Sequence, residues 1–177
     1  MNKFVLILSL SFFCVNTIKA DTQPQEIRLG ILRHNVKAGL KQSIEKYYDV
    51  NIEYLLKSSE TSFWQTIYKP RVHIGTSINT GSGTNQYYTG LTWHIPLIQS
   101  TFLELSFGGE VHDGHRKKAT KHKKALGSRL LFRESISLGV ILNNYSISIL
   151  LDHASNARIA PPNPGITNIG FRLGHYF

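Results

Sequence analysis

Tyr145-Ser146-Ile147-Ser148-Ile149-Leu150-Leu151-Asp152-His153-Ala154-Ser155 is the stretch on which the fold turns. One phase of it, Tyr145, Ile147, Ile149 and Leu151, is apolar, and the other carries Ser146, Ser148 and Asp152. That is the two-residue period of a strand with two unlike faces, not the 3.6-residue period of a helix. Moving outward, the pattern recurs about every 20 residues with turn-type stretches between. It predicts eight strands, near 26–34, 48–57, 70–79, 86–97, 101–112, 127–142, 145–155 and 167–177. The one amphipathic helical stretch is short, Lys37–Lys46.

The polar phase chooses among all-β architectures. It holds Arg28, Asn51, Glu53, Arg71, His73, Ser77, Asn79, His94, Glu104, Arg133, Ser146, Ser148, Asp152 and Arg172, each opposite an unbroken apolar face. Charges inside strands suit an eight-stranded antiparallel transmembrane β-barrel with lipid outside and a polar interior. A soluble lipid carrier would invert the faces, and alternation alone does not say which face points out.

The chain has 177 residues, 20 Lys+Arg against 11 Asp+Glu, and one Cys. After residue 20 no apolar run approaches the ~18 residues a spanning helix needs. Residues 1–20 have the basic start, apolar middle and polar end of an export signal, with cleavage expected after Ala20, although an uncleaved anchor is an alternative. One barrel domain, 21–177, is left, without Cys14 and so without a disulfide. Its basic excess fits anionic lipid or lipopolysaccharide phosphates rather than nucleic acid.

Loop lengths add an orientation. With the N-terminus periplasmic, the turns near Leu97–Ser100 and Asn143-Asn144 face the periplasm, and the segments near 35–47, 113–126 and 156–166 face the exterior. Ser58–Lys69 is longer than a periplasmic turn should be. The final Tyr176-Phe177 resembles the assembly signal of bacterial outer-membrane barrels, so the barrel-assembly machinery is an expected partner. Homodimerisation is left open. The segment His112–Lys124 holds six Lys/Arg and three His in thirteen residues. Within it Arg116, Lys117, Lys118 and Lys121 are candidates for binding substrate phosphates, against the plainer reading of a solvated loop. No carboxylate or Cys completes a zinc ligand set at recognisable spacing, and no cofactor is implied.

His153 and Ser155 lie about 6.6 Å apart along one strand face, the apolar one, where an imidazole can reach a hydroxyl. A His–Ser pair with a donor for the developing oxyanion is the minimum set for ester cleavage. His153-Ala154-Ser155-Asn156-Ala157, then Asn163-Pro164-Gly165-Ile166 and a last strand ending in Phe177, closely resemble the lipid A 3-O-deacylase (PagL) family. Looser likeness runs through Leu29–His34, His73–Gly81 and Leu131–Glu134. The resemblance implies an eight-stranded outer-membrane barrel that hydrolyses the 3-position acyl ester of lipid A. It also implies His153 as base, Ser155 as nucleophile and Asn156 as oxyanion donor.

The family's orienting Glu falls where this chain has Thr167, which cannot carry the charge that stabilises an imidazolium. A substitute follows from register: if Asn143-Asn144 is a two-residue turn, Leu142 faces Tyr145 and Glu134 faces His153. Glu134 is therefore the expected replacement acid, unless it is simply solvated near the strand end or moved to the lumen by a bulge. The competing reading of the whole chain is a non-catalytic barrel with a structural or ligand-binding role.

Overall fold

Eight strands run in chain order: β1 (Glu26–Arg33), β2 (Tyr48–Leu55), β3 (Arg71–Asn79), β4 (Gln86–Pro96), β5 (Thr101–His112), β6 (Leu130–Leu142), β7 (Tyr145–Ser155) and β8 (Ile166–Tyr176). Each pairs antiparallel with the next, and β1 pairs with β8, so the sheet closes on itself and has no free edge. The computed structural model describes residues 23–36, 45, 47–120 and 122–177. Most of the expected Lys37–Lys46 helix lies outside these residues.

Strand ends shift from the sequence expectation by a few residues. The largest shift is at β6, which begins at Leu130 instead of 127. Gly127 takes a left-handed φ of 78°, and the Arg129 guanidinium donates to the carbonyls of His112 and Gly114, so residues 127–129 belong to the loop. The stretch that looked too long for a turn, 58–69, holds a short helix, α1 (Ser62–Thr66).

The two phases face as the membrane reading requires. Leu29, Ile31, Leu138 and Phe171 are 55–65% exposed on the outer wall. The polar phase fills the interior, as expected for an eight-stranded barrel too narrow for an open channel. Arg28 donates to both oxygens of Glu104, at 2.7 and 2.8 Å, and to Glu26 at 2.6 Å. Arg71 bridges Glu26 and Glu104, and Arg172 donates to Glu53 at 2.7 Å. Nearer the other end Arg133 pairs with Asp152 and stacks over the Tyr88 ring, 3.7 Å from its centroid. Each carboxylate in this lattice gains cationic donors that replace lost water, which is the condition for keeping charge in a dry interior.

The start of β1, the end of β8 and the connections β2–β3, β4–β5 and β6–β7 share one end of the barrel. The other end is roofed by the long connections. There His34 places Nδ1 2.7 Å from Asp49 and Nε2 2.7 Å from Glu45, while Glu45 accepts from Thr84 and from the Lys124 backbone N–H. Burial disfavours the His34 cation, but the bonds to Asp49 and Glu45 outweigh it and raise its pKa to about 9. Burial likewise works against the Glu45 carboxylate, yet His34, Lys124 and Thr84 hold its pKa below the usual value. The roof is thus fastened by one charged knot. At this end Leu126, Leu131, Ala154 and Ile166 form a small buried apolar cluster.

Candidate active site

The two-residue turn at Asn143-Asn144, with Asn143 at φ 54°, sets Leu142 opposite Tyr145, and from that register Glu134 faces His153 and Phe132 faces Ser155. On the other side β8 sets Thr167 opposite His153. Glu134, His153 and Thr167 therefore form a lateral row across three strands on the outer wall at the roofed end, with Ser155 one step further toward the rim.

Within the row the bonding falls on Thr167. Nδ1 of His153 lies 2.8 Å from Thr167 Oγ1. With the proton on Nδ1, that N–H donates to the hydroxyl and Nε2 is left as the acceptor, the tautomer a general base requires. Among the described residues the Glu134 carboxylate makes no hydrogen bond or ion pair, and its side chain is exposed. The expected Glu134–His153 contact is thus present as strand register and absent as a bond. The imidazole's Nδ1 is already taken from the β8 side.

The loop that follows packs against the imidazole's other edge. Gly165 has φ 61°, and a Cβ there would sit 2.6 Å from His153 Cε1, so only glycine allows both the turn and the approach. Lys124 Nζ donates to the Gly165 carbonyl at 2.6 Å and to Asn35 Oδ1 at 2.8 Å. The Val36 N–H donates to the Thr167 carbonyl at 2.7 Å. The roof and the histidine row are therefore mechanically continuous.

Asn156 has a different place from the one its sequence position suggests. Its side chain is buried, and Nδ2 donates to the carbonyls of Leu126 and Ala160 at 2.8 and 2.6 Å. That carboxamide clamps the β5–β6 and β7–β8 connections and does not offer its N–H groups to an oxyanion, because both loops bring backbone acceptors that burial requires to be paired. The Asn156 backbone N–H donates to Asn163 Oδ1 at 3.1 Å. Asn163, to which sequence reasoning gave no role, thus has its carboxamide beside the Ser155–Asn156 peptide, and its Nδ2 has no hydrogen bond among the described residues. The Asn-x-Gly spacing was visible in the sequence, but the fold of the loop was not.

A cavity of about 390 Å³ opens on the outer wall next to this site, lined by Phe107, Gly109, Leu130, Phe132, Ile159 and Ala160. Phe107 and Phe132 stack with ring centroids 6.3 Å apart, and Phe132 is the residue that pairs with Ser155. Gly109 leaves the wall open between them. The basic loop adjoins it: Gly127 N–H donates to the Arg116 carbonyl and Leu126 N–H to that of His115. Arg116, Lys117 and Lys118 are exposed there, and Lys121 lies outside the described residues. Lys123 is paired with Asp113 at 2.7 Å.

Three solved structures share the architecture. The crystal structure of the outer membrane enzyme PagL matches 86% of this chain and 99% of its own, at 20% identity and a TM-score of 0.61. The N-terminal β-barrel domain of Pseudomonas aeruginosa OprF matches 88% and 99%, at 12% identity and 0.56. Yersinia pestis Ail, solved in a phospholipid bilayer nanodisc, matches 88% and 99%, at 10% identity and 0.50. At these identities the likeness shows the fold. No curated protein matches the sequence significantly. The profile of the lipid A 3-O-deacylase (PagL) family matches residues 31–176, nearly the whole barrel and every residue of the row, and the chain belongs to that family of ester hydrolases.

Proposed function

We propose that this barrel sits in the outer membrane and hydrolyses the 3-O-linked acyl ester of lipid A at its outer wall, with Ser155 as nucleophile and His153 as base. The observation that carries the reading is the His153–Thr167 bond, which holds the imidazole on the outer wall by Nδ1 and leaves Nε2 free to act as the acceptor, two residues from Ser155 on the same strand face.

Ser155 Oγ attacks the ester carbonyl as its proton passes to His153 Nε2. The tetrahedral intermediate collapses, the bond to the sugar 3-oxygen breaks, and His153 returns the proton to that oxygen. Water, deprotonated by His153, then cleaves the acyl-serine and releases the fatty acid. The Ser155 hydroxyl has no hydrogen bond among the described residues, as is common before substrate closes such a pair. The developing oxyanion is served by the Asn163 Nδ2 in place of the Asn156 side chain, whose Nδ2 is bonded to the Leu126 and Ala160 carbonyls. Glu134, one strand over at a cross-strand spacing of about 5 Å, supplies negative potential toward the imidazolium without touching it. The cavity by Phe107 and Phe132 receives the acyl chain, and Arg116, Lys117, Lys118 and Lys121 meet the lipid A phosphates.

Mass spectrometry of lipid A from cells expressing the wild type, Ser155→Ala or His153→Ala tests this. Loss of one 3-O-acyl mass with the wild type alone supports it. Unchanged lipid A in all three, each folded in the membrane, favours a non-catalytic barrel.

A further inference from the structure

The connection between β2 and β3 is built as a self-contained unit at the barrel end where β1 starts and β8 terminates. Ser58 Oγ donates to the Lys69 carbonyl at 2.7 Å, Lys69 N–H to the Trp64 carbonyl at 2.8 Å, and Trp64 Nε1 to the Pro70 carbonyl at 2.6 Å. Lys69 Nζ closes on Glu60 at 2.8 Å. With these groups paired internally, the Ser58, Trp64 and Lys69 side chains do not strand a donor where the unit meets a region of low polarity. What it turns outward is aromatic: Phe63 is 66% and Tyr68 67% exposed, with Trp64 beside Phe63 at 5.9 Å between centroids.

Its placement comes from another strand. Trp93 lies on the outer, apolar phase of β4, and its Nε1 donates to the Ile67 carbonyl at 2.8 Å. That bond pulls the connection against the outside wall, where it continues the lipid-facing belt, instead of under the barrel mouth. Rings with one apolar body and one polar edge favour the headgroup boundary of a bilayer. The polar residues Ser59, Glu60, Thr61 and Ser62 supply the wet side of the same unit. A partner protein would need a shaped contact, whereas a lipid boundary needs only this gradient from charged to aromatic to apolar.

We propose that residues 58–69 form a membrane foot: Phe63, Trp64 and Tyr68 rest in the headgroup boundary of the phospholipid leaflet at this end of the barrel and fix how deep the barrel sits. On the proposed hydrolysis, that depth also sets the height of the His153 row against the ester in the opposite leaflet.

The test places a nitroxide at Phe63→Cys in a chain whose Cys14 is replaced by Ser, in phospholipid vesicles. Collision rates with oxygen should exceed those with a water-soluble nickel chelate, as at the belt control Leu138→Cys, and the order should reverse at Glu60→Cys. Nickel access at position 63, or shielding from both probes as a second copy would give, overturns the foot. The Phe63→Ser/Tyr68→Ser double variant should lose about tenfold in lipid A deacylation in vesicles and stay within about twofold in detergent micelles. Equal loss in both media overturns the link to depth. A wild type inactive in both media would sink the hydrolysis reading and leave the nitroxide result to decide the foot alone.

Discussion

The two walls of one sheet treat polar side chains in opposite ways. Inside, Arg28, Arg71, Glu26 and Glu104 interlock so that both terminal nitrogens of each guanidinium and both oxygens of each carboxylate have a partner within 3 Å, and only the two Nε atoms are left over. Outside, Glu134, His153, Thr167 and Ser155 are a short polar row on an apolar wall, joined among the described residues by a single hydrogen bond, between His153 and Thr167. Saturated networks hold a shape, because removing one member strands the others in a dry interior. A sparse row with unpaired hydroxyl and carboxylate groups keeps capacity for a ligand. The difference teaches where to look for chemistry in a barrel of this size: among the polar groups that the fold leaves under-bonded.

The comparison is broken most severely at the nucleophile. Ser155→Ala should reduce deacylation by about ten-thousandfold while leaving the melting temperature unchanged; a variant that keeps activity would return the outer row to a structural role. The mirror-image change is Glu104→Ala in the lumen. It leaves Arg28 and Arg71 short of partners and should cost about 3–5 kcal/mol of stability in urea titrations of the folded barrel, with kcat unaltered in the fraction that folds.

Thr167 tests the row's internal logic. Thr167→Val removes the acceptor that fixes the His153 tautomer and should lower kcat by about 10- to 100-fold with little change in KM. Thr167→Glu adds a negative charge at the same place, which favours the imidazolium, so the acidic limb of the kcat/KM profile should move to higher pH and kcat should rise. If Thr167→Val is neutral and Glu134→Gln is damaging, the orienting contact runs to β6 instead.

The roof is sensitive to pH on both sides. His34 has a folded pKa raised to about 9 from an ordinary 6.5, so its contribution is complete below about 6.5 and disappears as pH rises through 9. Glu45 is held low, so its contribution is present above the usual carboxylate value and is lost as pH falls. Tryptic cleavage at Arg116, Lys117 or Lys118, normalised to a free peptide, should therefore speed up above pH 9, and His34→Gln should remove that step. The smallest effect belongs to the exposed cations. Lys117→Ala/Lys118→Ala should raise KM a few-fold at low salt and change little at high salt, since each contributes on the order of 1 kcal/mol against an anionic surface.

Much of this molecule could be read before folding it. The alternation separated the two phases, since a closed sheet sends successive side chains to opposite sides, and the terminal Tyr176-Phe177 with the alternating loop lengths chose which of them faces lipid. The row's β6–β7 half was also legible, because the tight Asn143-Asn144 turn transmits register along the hairpin without slack. The β7–β8 half was not: residues 156–165 form a connection too long to dictate which β8 residue meets His153. Packing decided on Thr167.

The same reasoning separates the remaining successes from the failures. Local sequence determined the strands, the sidedness of the barrel, the His153–Ser155 spacing and the family motif, because these depend on neighbours within a few residues along the chain. Only the tertiary structure turned the Asn156 carboxamide onto Leu126 and Ala160, set Gly165 against His153 and drew residues 58–69 onto the outer wall through Trp93. Each of those contacts joins segments that closure of the barrel brings together, and a hydrogen bond is indifferent to how much chain lies between its donor and its acceptor.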